Sequence, residues 1–157
     1  MSENELVLRP VSTEDAAFLL RVYASSRETE MAMVPWPPEQ KEAFLRSQFD
    51  AQTRDYIARN PGAEHRVLVY GAREVGRSFV ARQAERVHIL DVTVLTQERG
   101  KGVGSAFLSR MQEEAAAARL PLTIYVETFN PSLNFFAKRG FRPEKEEGIH
   151  LLLQWMP

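Results

Sequence analysis

The chain contains no cysteine. Disulfides, thiolate metal ligands and a covalent cysteine intermediate are therefore excluded, and nothing points to an oxidising compartment. An excess of either charge is also missing: 20 lysines and arginines stand against 21 aspartates and glutamates, a formal net charge of −1. Such balance argues against a broad nucleic-acid or membrane-binding surface, though not against a small local one. No apolar run approaches the roughly 20 residues that a membrane helix needs. Met1 to Glu5 has neither the basic start nor the apolar core of a secretory signal, so a cytoplasmic location is the expectation. His65, His88 and His150 lie far apart without metal-motif spacing, so no metal is expected. What is present is ordinary: 157 residues, 44% hydrophobic and 26% charged, suit one globular domain over residues 1–157.

Along the chain, Leu6–Val11 reads as a short strand, and Ser12 or Thr13 can cap a helix carrying Leu19, Leu20 and Tyr23. Three prolines keep Met31–Pro38 from forming regular helix. Pro38 suits the first turn of a second helix, whose stripe is Phe44, Leu45, Phe49 and Tyr56 and whose end is Asn60-Pro61-Gly62. Arg66–Tyr70, Val75–Arg82 and Arg86–Leu95 follow as strands with short connections, an antiparallel meander. Val103, Phe107, Met111 and Ala115 then repeat at helical spacing, and Leu122–Glu127 is again strand-like. Asn130-Pro131 reads as the cap and first residue of a short helix that Gly140 ends, and two last strands flank Gly148. This order predicts an α+β domain with helices on both faces of the sheet.

The strongest local signal is Arg99-Gly100-Lys101-Gly102-Val103-Gly104, between a strand and a helix. Glycines permit close approach of backbone to a ligand, and free amides at a helix start favour an anion. The segment reads either as a pyrophosphate cradle or as a tight turn that merely needs glycine. It is not a P-loop, because no Gly-Lys-Ser or Gly-Lys-Thr occurs, and it does not complete GxGxxG from Gly100 or Gly102.

A third pattern fits. Val94 and Arg99–Gly104, with the core Arg99, Gly102 and Gly104, resemble the acetyl-CoA signature of GNAT-type N-acetyltransferases. Asn130 and the downstream Gly140-Phe141 are similar to a further segment of that family, and the order of elements is similar from Leu6 to the C-terminus. The resemblance implies a GNAT fold: a central mixed, mostly antiparallel sheet of about six or seven strands. It implies acetyl-CoA as cosubstrate, its pyrophosphate on the amides of Arg99, Gly100, Lys101, Gly102, Val103 and Gly104. Backbone groups of Val92, Thr93 and Val94 would pair with the pantetheine arm in a gap between two splayed strands, and Asn130 would hydrogen-bond that arm. Lys138 and Arg139 would either reach cofactor phosphates or serve as charges at a helix end. The implied reaction is direct attack of a primary amine, of a small molecule or a peptide, on the thioester in a ternary complex. No nucleic-acid or membrane partner is implied, and the chain is expected to act as a monomer or homodimer.

One position departs from the family. Many members carry a tyrosine six residues after the asparagine to serve the leaving thiolate; here that residue, lining the cofactor site, is Phe136. The departure motivates an alternative, a non-catalytic acyl-CoA sensor on the same fold, and behind it a scaffold that binds no CoA. For the base that takes the amine proton, the candidates are His88, Asp91 and Glu127. His88 has a suitable ordinary pKa of ~6.5 and, by strand alternation, shares a face with Leu90, Val92 and Val94. Asp91 is a charge in an apolar strand, needing a partner if buried. Glu127 closes the next strand. The region from Tyr23 to Trp36, with Arg27, Glu28, Glu30 and Met31, is the implied acceptor wall.

Overall fold

Two periods in the sequence sort the chain into strands and helices, and the computed structural model, which describes residues 5–157, follows both. Met1 to Asn4, part of the segment read for targeting signals, lie outside the described residues. Strand β1 (Leu6–Pro10) leads through a 3-10 turn at Thr13–Asp15 into α1 (Ala16–Ser26). Asp15 locks that entry: its Oδ2 accepts the Ser12 amide at 2.7 Å, and Arg9 pairs with its Oδ1 at 2.9 Å. The Arg9 hydrogen bond, reinforced by the Ser12 amide, holds the Asp15 carboxyl well below the usual carboxylate range.

A one-turn helix, α2 (Glu28–Ala32), takes in the first two residues of the stretch expected to be irregular and turns Met31 into the core. Five residues are too few to show a helical period, so sequence pattern does not reveal it. The prolines then act as expected. Pro37 is extended and Pro38 opens α3 (Pro38–Arg59), which buries only Leu45 and Phe49 of its expected stripe.

Strands β2 (Glu64–Tyr70), β3 (Arg73–Arg82) and β4 (Val87–Val94) form the antiparallel meander. Helix α4 (Val103–Ala118) crosses to β5 (Leu122–Glu127), α5 (Leu133–Lys138) follows, and β6 (Arg142–Glu147) and β7 (His150–Trp155) close the chain. All seven strands make one sheet in the order β1-β2-β3-β4-β5-β7-β6. Every neighbouring pair is antiparallel except β4–β5, which the α4 crossover makes parallel. The mixed, mostly antiparallel α+β architecture agrees with the sequence.

Each face of the sheet has its own core. On one, Phe107, Leu108 and Met111 of α4 pack with Leu68, Ile89 and Phe141. On the other, Phe18, Val22, Met31 and Phe49 cover Val67. Burying such a side chain stabilises the fold by roughly 1.5–3 kcal/mol. Between the two layers, β3 is buried on both faces from Val75 to Ala81. No helix among the described residues is long and apolar enough to cross a membrane.

One irregularity reorients half of a central strand. Ile89 pairs with Val80 but Asp91 pairs with Phe79, so Leu90 is an extra residue in β4. Such a bulge reverses side-chain alternation. Val87 and Ile89 before it and Val92 and Val94 after it all reach the α4 core. His88 therefore faces away from Val92 and Val94, which corrects the shared parity expected from simple alternation.

Candidate functional site

The sheet parts between its two central strands. β4 and β5 pair only at Val87–Leu122, His88–Thr123 and Ile89–Ile124. Beyond Ile89, β4 stays with β3 as far as the Gly76–Val94 pair, while β5 stays with β7 as far as Glu127–His150. The strands therefore splay, and the gap is a cavity of about 930 Å³. Its wall is Val92–Val94, its floor the turn at Glu98–Ser105, and its far side Asn130, Phe135, Phe136 and Arg139. Half of β4 thus lacks a neighbour on one edge, leaving backbone groups that an extended ligand can pair with.

At the floor, Gly100 and Gly102 hold φ of +77° and +93°. Another residue at such angles costs about 1–2 kcal/mol. Gly102 is the N-cap of α4; its carbonyl accepts the Ala106 amide at 3.0 Å, and no side chain caps the helix. The amides of Val103, Gly104 and Ser105 precede the first intrahelical bond and are free for an anion, with the helix dipole behind them. The first turn carries no acidic residue.

A cation completes this end. Arg139 donates through Nη1 to the Phe135 carbonyl at 3.0 Å and through Nη2 to the Ser105 hydroxyl, with its guanidinium 3.7 Å from the centre of the Phe135 ring. It is thereby fixed beside the first turn of α4. Lys101 is directed elsewhere: its Nζ lies 3.3 Å from Glu98, which Arg73 also holds at 2.9 Å. Those two cations, the Arg73 hydrogen bond foremost, keep the Glu98 carboxyl below its ordinary range. Arg99 is exposed and lines the cavity. Lys138 is exposed and does not line it.

Asn130 lines the cavity but does not cap α5. Its Oδ1 accepts the Ser132 amide at 2.8 Å in a turn, and the helix begins at Leu133 with Ser132 as N-cap. The expected cap-and-first-residue pair Asn130-Pro131 thus lies two residues upstream of the observed pair Ser132-Leu133, because the asparagine side chain closes a turn of its own. Phe136 faces the gap, packed edge-on against Phe135 and Phe141 at 5.4 and 5.5 Å between ring centres. At the position where the resemblance leads one to look for a hydroxyl, the packed side is aromatic and the other side is open to the cleft.

The three base candidates are not brought together. His88 is 4% exposed in the closed half of the β4–β5 pair; its Nδ1 is 2.7 Å from the Thr123 hydroxyl and Tyr125 packs edge-on against it. Burial, helped by Arg86, pushes its pKa down to about 4, so it is neutral at pH 7. It does not line the cavity. Asp91 is engaged: Oδ2 accepts Arg77 Nε at 2.8 Å and Oδ1 accepts the Thr93 hydroxyl at 3.0 Å. Glu127 ends β5 on the splayed side of the β4–β5 pair, half-buried and, like His88, outside the cavity lining, with its carbonyl accepting the Asn130 amide at 2.9 Å. Arg77 itself escapes sequence reading. A charge alternating with Val75 and Phe79 in an apolar strand is the signal that could have found it. From the region expected as an acceptor wall, Ser26 reaches the cavity. Among the described residues no three metal-ligating side chains converge.

The family profile described as "Acetyltransferase (GNAT) domain" matches residues 29–157, a span that includes every residue named as lining this cleft except Ser26. No curated protein sequence matches the chain. Among solved structures, the chain is similar to a PaiA N-acetyltransferase from Thermoplasma acidophilum in complex with coenzyme A. The identity is 18%, 98% of this chain and 99% of that one are covered, and the TM-score is 0.70. An acetyltransferase from Thermus thermophilus is 23% identical over 100% and 99% of the two chains, with a TM-score of 0.68. A GCN5-related N-acetyltransferase from Rhodopseudomonas palustris is 22% identical over 100% and 99%, with a TM-score of 0.66. At these identities the structural likeness speaks for the fold.

Proposed function

The chain belongs to the GNAT family of acetyltransferases, enzymes that use acetyl-CoA as donor, and we propose that its single domain, residues 1–157, moves that acetyl group onto a primary amine by direct attack. The observation that carries this reading is the splayed half of β4, with an uncapped helix start and a fixed arginine at one end of the gap. The residues fit the donor. Free amides at Val103–Ser105, the left-handed Gly100 and Gly102, and Arg139 together suit a pyrophosphate; the unpaired edge of Val92–Val94 suits an extended amide-bearing arm. Asn130, on the opposite wall, is within the same gap to hydrogen-bond that arm. Bound acetyl-CoA supplies an activated thioester; the protein supplies position and charge.

The chain has no cysteine, which excludes an acetyl-cysteine intermediate and supports direct attack of the amine on the thioester within a ternary complex. The amine must arrive neutral. Of the three candidate bases, Glu127 is the one we assign to the amine, because it stands where the strands open and no ion pair engages it among the described residues. Asp91 is committed to Arg77 and Thr93, and His88 is sealed within the closed half. Backbone amides on the open edge of β4 would stabilise negative charge on the thioester oxygen. No side-chain acid stands at Phe136, so the thiolate takes its proton from water or from the amine.

Calorimetric titration with acetyl-CoA, followed by an amine panel that detects released CoA thiol, tests the reading. Saturable binding with thiol release for small-molecule or peptide amines is expected. Absence of binding at millimolar acetyl-CoA would overturn it. The missing hydroxyl at Phe136 favours a second reading, a non-catalytic acyl-CoA sensor, which would bind the donor and release no thiol with any amine.

A further inference from the structure

The wall of the cleft is held from behind by a polar arrangement that the proposed chemistry does not use. Arg77 on β3 is 1% exposed and is the largest side chain to be fully buried among the described residues. It lies opposite Thr93 in the β3–β4 register, so both side chains point towards α3. Its Nε donates to Asp91 at 2.8 Å, its Nη2 donates to Gln52 of α3, and its guanidinium carbon lies 4.9 Å from the centre of the Phe49 ring. Asp91 in turn accepts the hydroxyl of Thr93, which lines the cleft. A continuous chain of contacts therefore runs from α3, through Arg77 and Asp91, to the wall.

Stability does not account for this chain. Apolar residues of similar size serve a core as well as or better than a buried ion pair, and Arg77 also leaves Nη1 without a partner among the described residues. What the pair does hold is a direction. Asp91 is the first residue after the bulge, where β4 turns its side chains over and parts from β5. From the β3 side, a Cβ on Gly76 would lie 2.2 Å from the Thr93 carbonyl, so the backbones already touch there. Thr93 is thus fixed twice, by its carbonyl against Gly76 and by its hydroxyl on Asp91.

We propose that Arg77 is a positioning residue for the donor: through Asp91 it fixes the bulge and Thr93, and with them the edge that Val92–Val94 presents to the cleft. The proposal rests on the reading of that cleft as the acetyl-CoA site. Its test is calorimetric titration of the full chain with acetyl-CoA alongside thermal melting. The double variant R77M/D91L replaces the pair by apolar groups and is expected to melt within about 5 °C of wild type. It should nevertheless bind acetyl-CoA about tenfold more weakly. Thr93→Val, which loses the hydroxyl, should weaken binding in the same direction, and Thr93→Ser, which keeps it, should restore wild-type affinity. A folded R77M/D91L protein with wild-type affinity overturns the proposal. If that variant does not fold, Thr93→Val binding as tightly as Thr93→Ser overturns it. Wild-type protein that binds no acetyl-CoA overturns the underlying reading instead, before any variant is compared.

Discussion

The two halves of β4 are the instructive contrast. From Val87 to Ile89 the strand has a neighbour on each edge, and its one polar side chain, His88, is buried and paired with Thr123. From Asp91 to Val94 the same strand has β3 on one edge and open space on the other, with Asp91 tied to Arg77 and Thr93 tied to Asp91. One residue, Leu90, separates a segment that only supports from a segment that can bind. A polar group in a strand thus signifies little by itself; whether the adjoining edge is filled decides its role.

The largest expected effect sets one half against the other. Gly102→Glu puts a strained backbone and a negative charge at the anion end of the gap, and should cut acetyl-CoA affinity by about a hundredfold or more in a calorimetric titration. His88→Leu acts on the closed half. It strands the Thr123 hydroxyl and should lower stability by about 1–3 kcal/mol in denaturant unfolding, with affinity unchanged. A loss of affinity in His88→Leu at full occupancy of the folded state would break the contrast.

Next in size is Gly76→Ala. The added methyl meets the Thr93 carbonyl, a backbone atom that can yield only by moving β4 into the gap. Destabilisation of about 1–3 kcal/mol is expected, accompanied by weaker acetyl-CoA binding. Destabilisation alone would mean that the open half of β4 tolerates displacement.

A pH titration sharpens the closed side. His88 and His65 are both held down to about 4 by burial, so below pH ~6.5 the unfolded chain binds protons that the folded chain refuses. Stability should therefore fall as pH drops from about 6.5 to about 4, seen as a declining melting temperature. His88→Leu should flatten part of that decline. The smallest effect is expected at Phe136→Tyr. It should leave acetyl-CoA affinity unchanged and raise turnover about tenfold if loss of a proton donor limits the reaction. Equal turnover would show that the thiolate needs no side-chain acid.

What could be read from the sequence was local. The Arg99–Gly104 turn was legible because backbone freedom and free helix amides are properties of the segment itself. The helix of Val103, Phe107 and Met111 and the meander before it were legible through their periods. The bulge was not, since register depends on which residue of β3 faces which residue of β4, and its absence from the pattern put His88 on the wrong face. The same non-locality hid the Arg77–Asp91 pair, whose members are separated by a turn and whose third partner, Gln52, lies on a distant helix. Helix α2 was missed for a simpler reason, its single turn. Asn130 lines the cleft, but its side chain closes a turn where the sequence predicts a helix cap.

The short β4–β5 seam has a kinetic consequence. Strands β1 to β4 join consecutive neighbours, and β5, β7 and β6 form a second group, so the two groups pair strand to strand only along Val87–Ile89 and Leu122–Ile124. The seam closes only when the chain through α4 has been spanned, and the β1–β2 pairing of Leu6 with Tyr70 spans a longer stretch still. The cleft therefore exists only once that seam has closed. Its ligand should slow unfolding without hastening folding, and stopped-flow traces with and without acetyl-CoA would register that asymmetry.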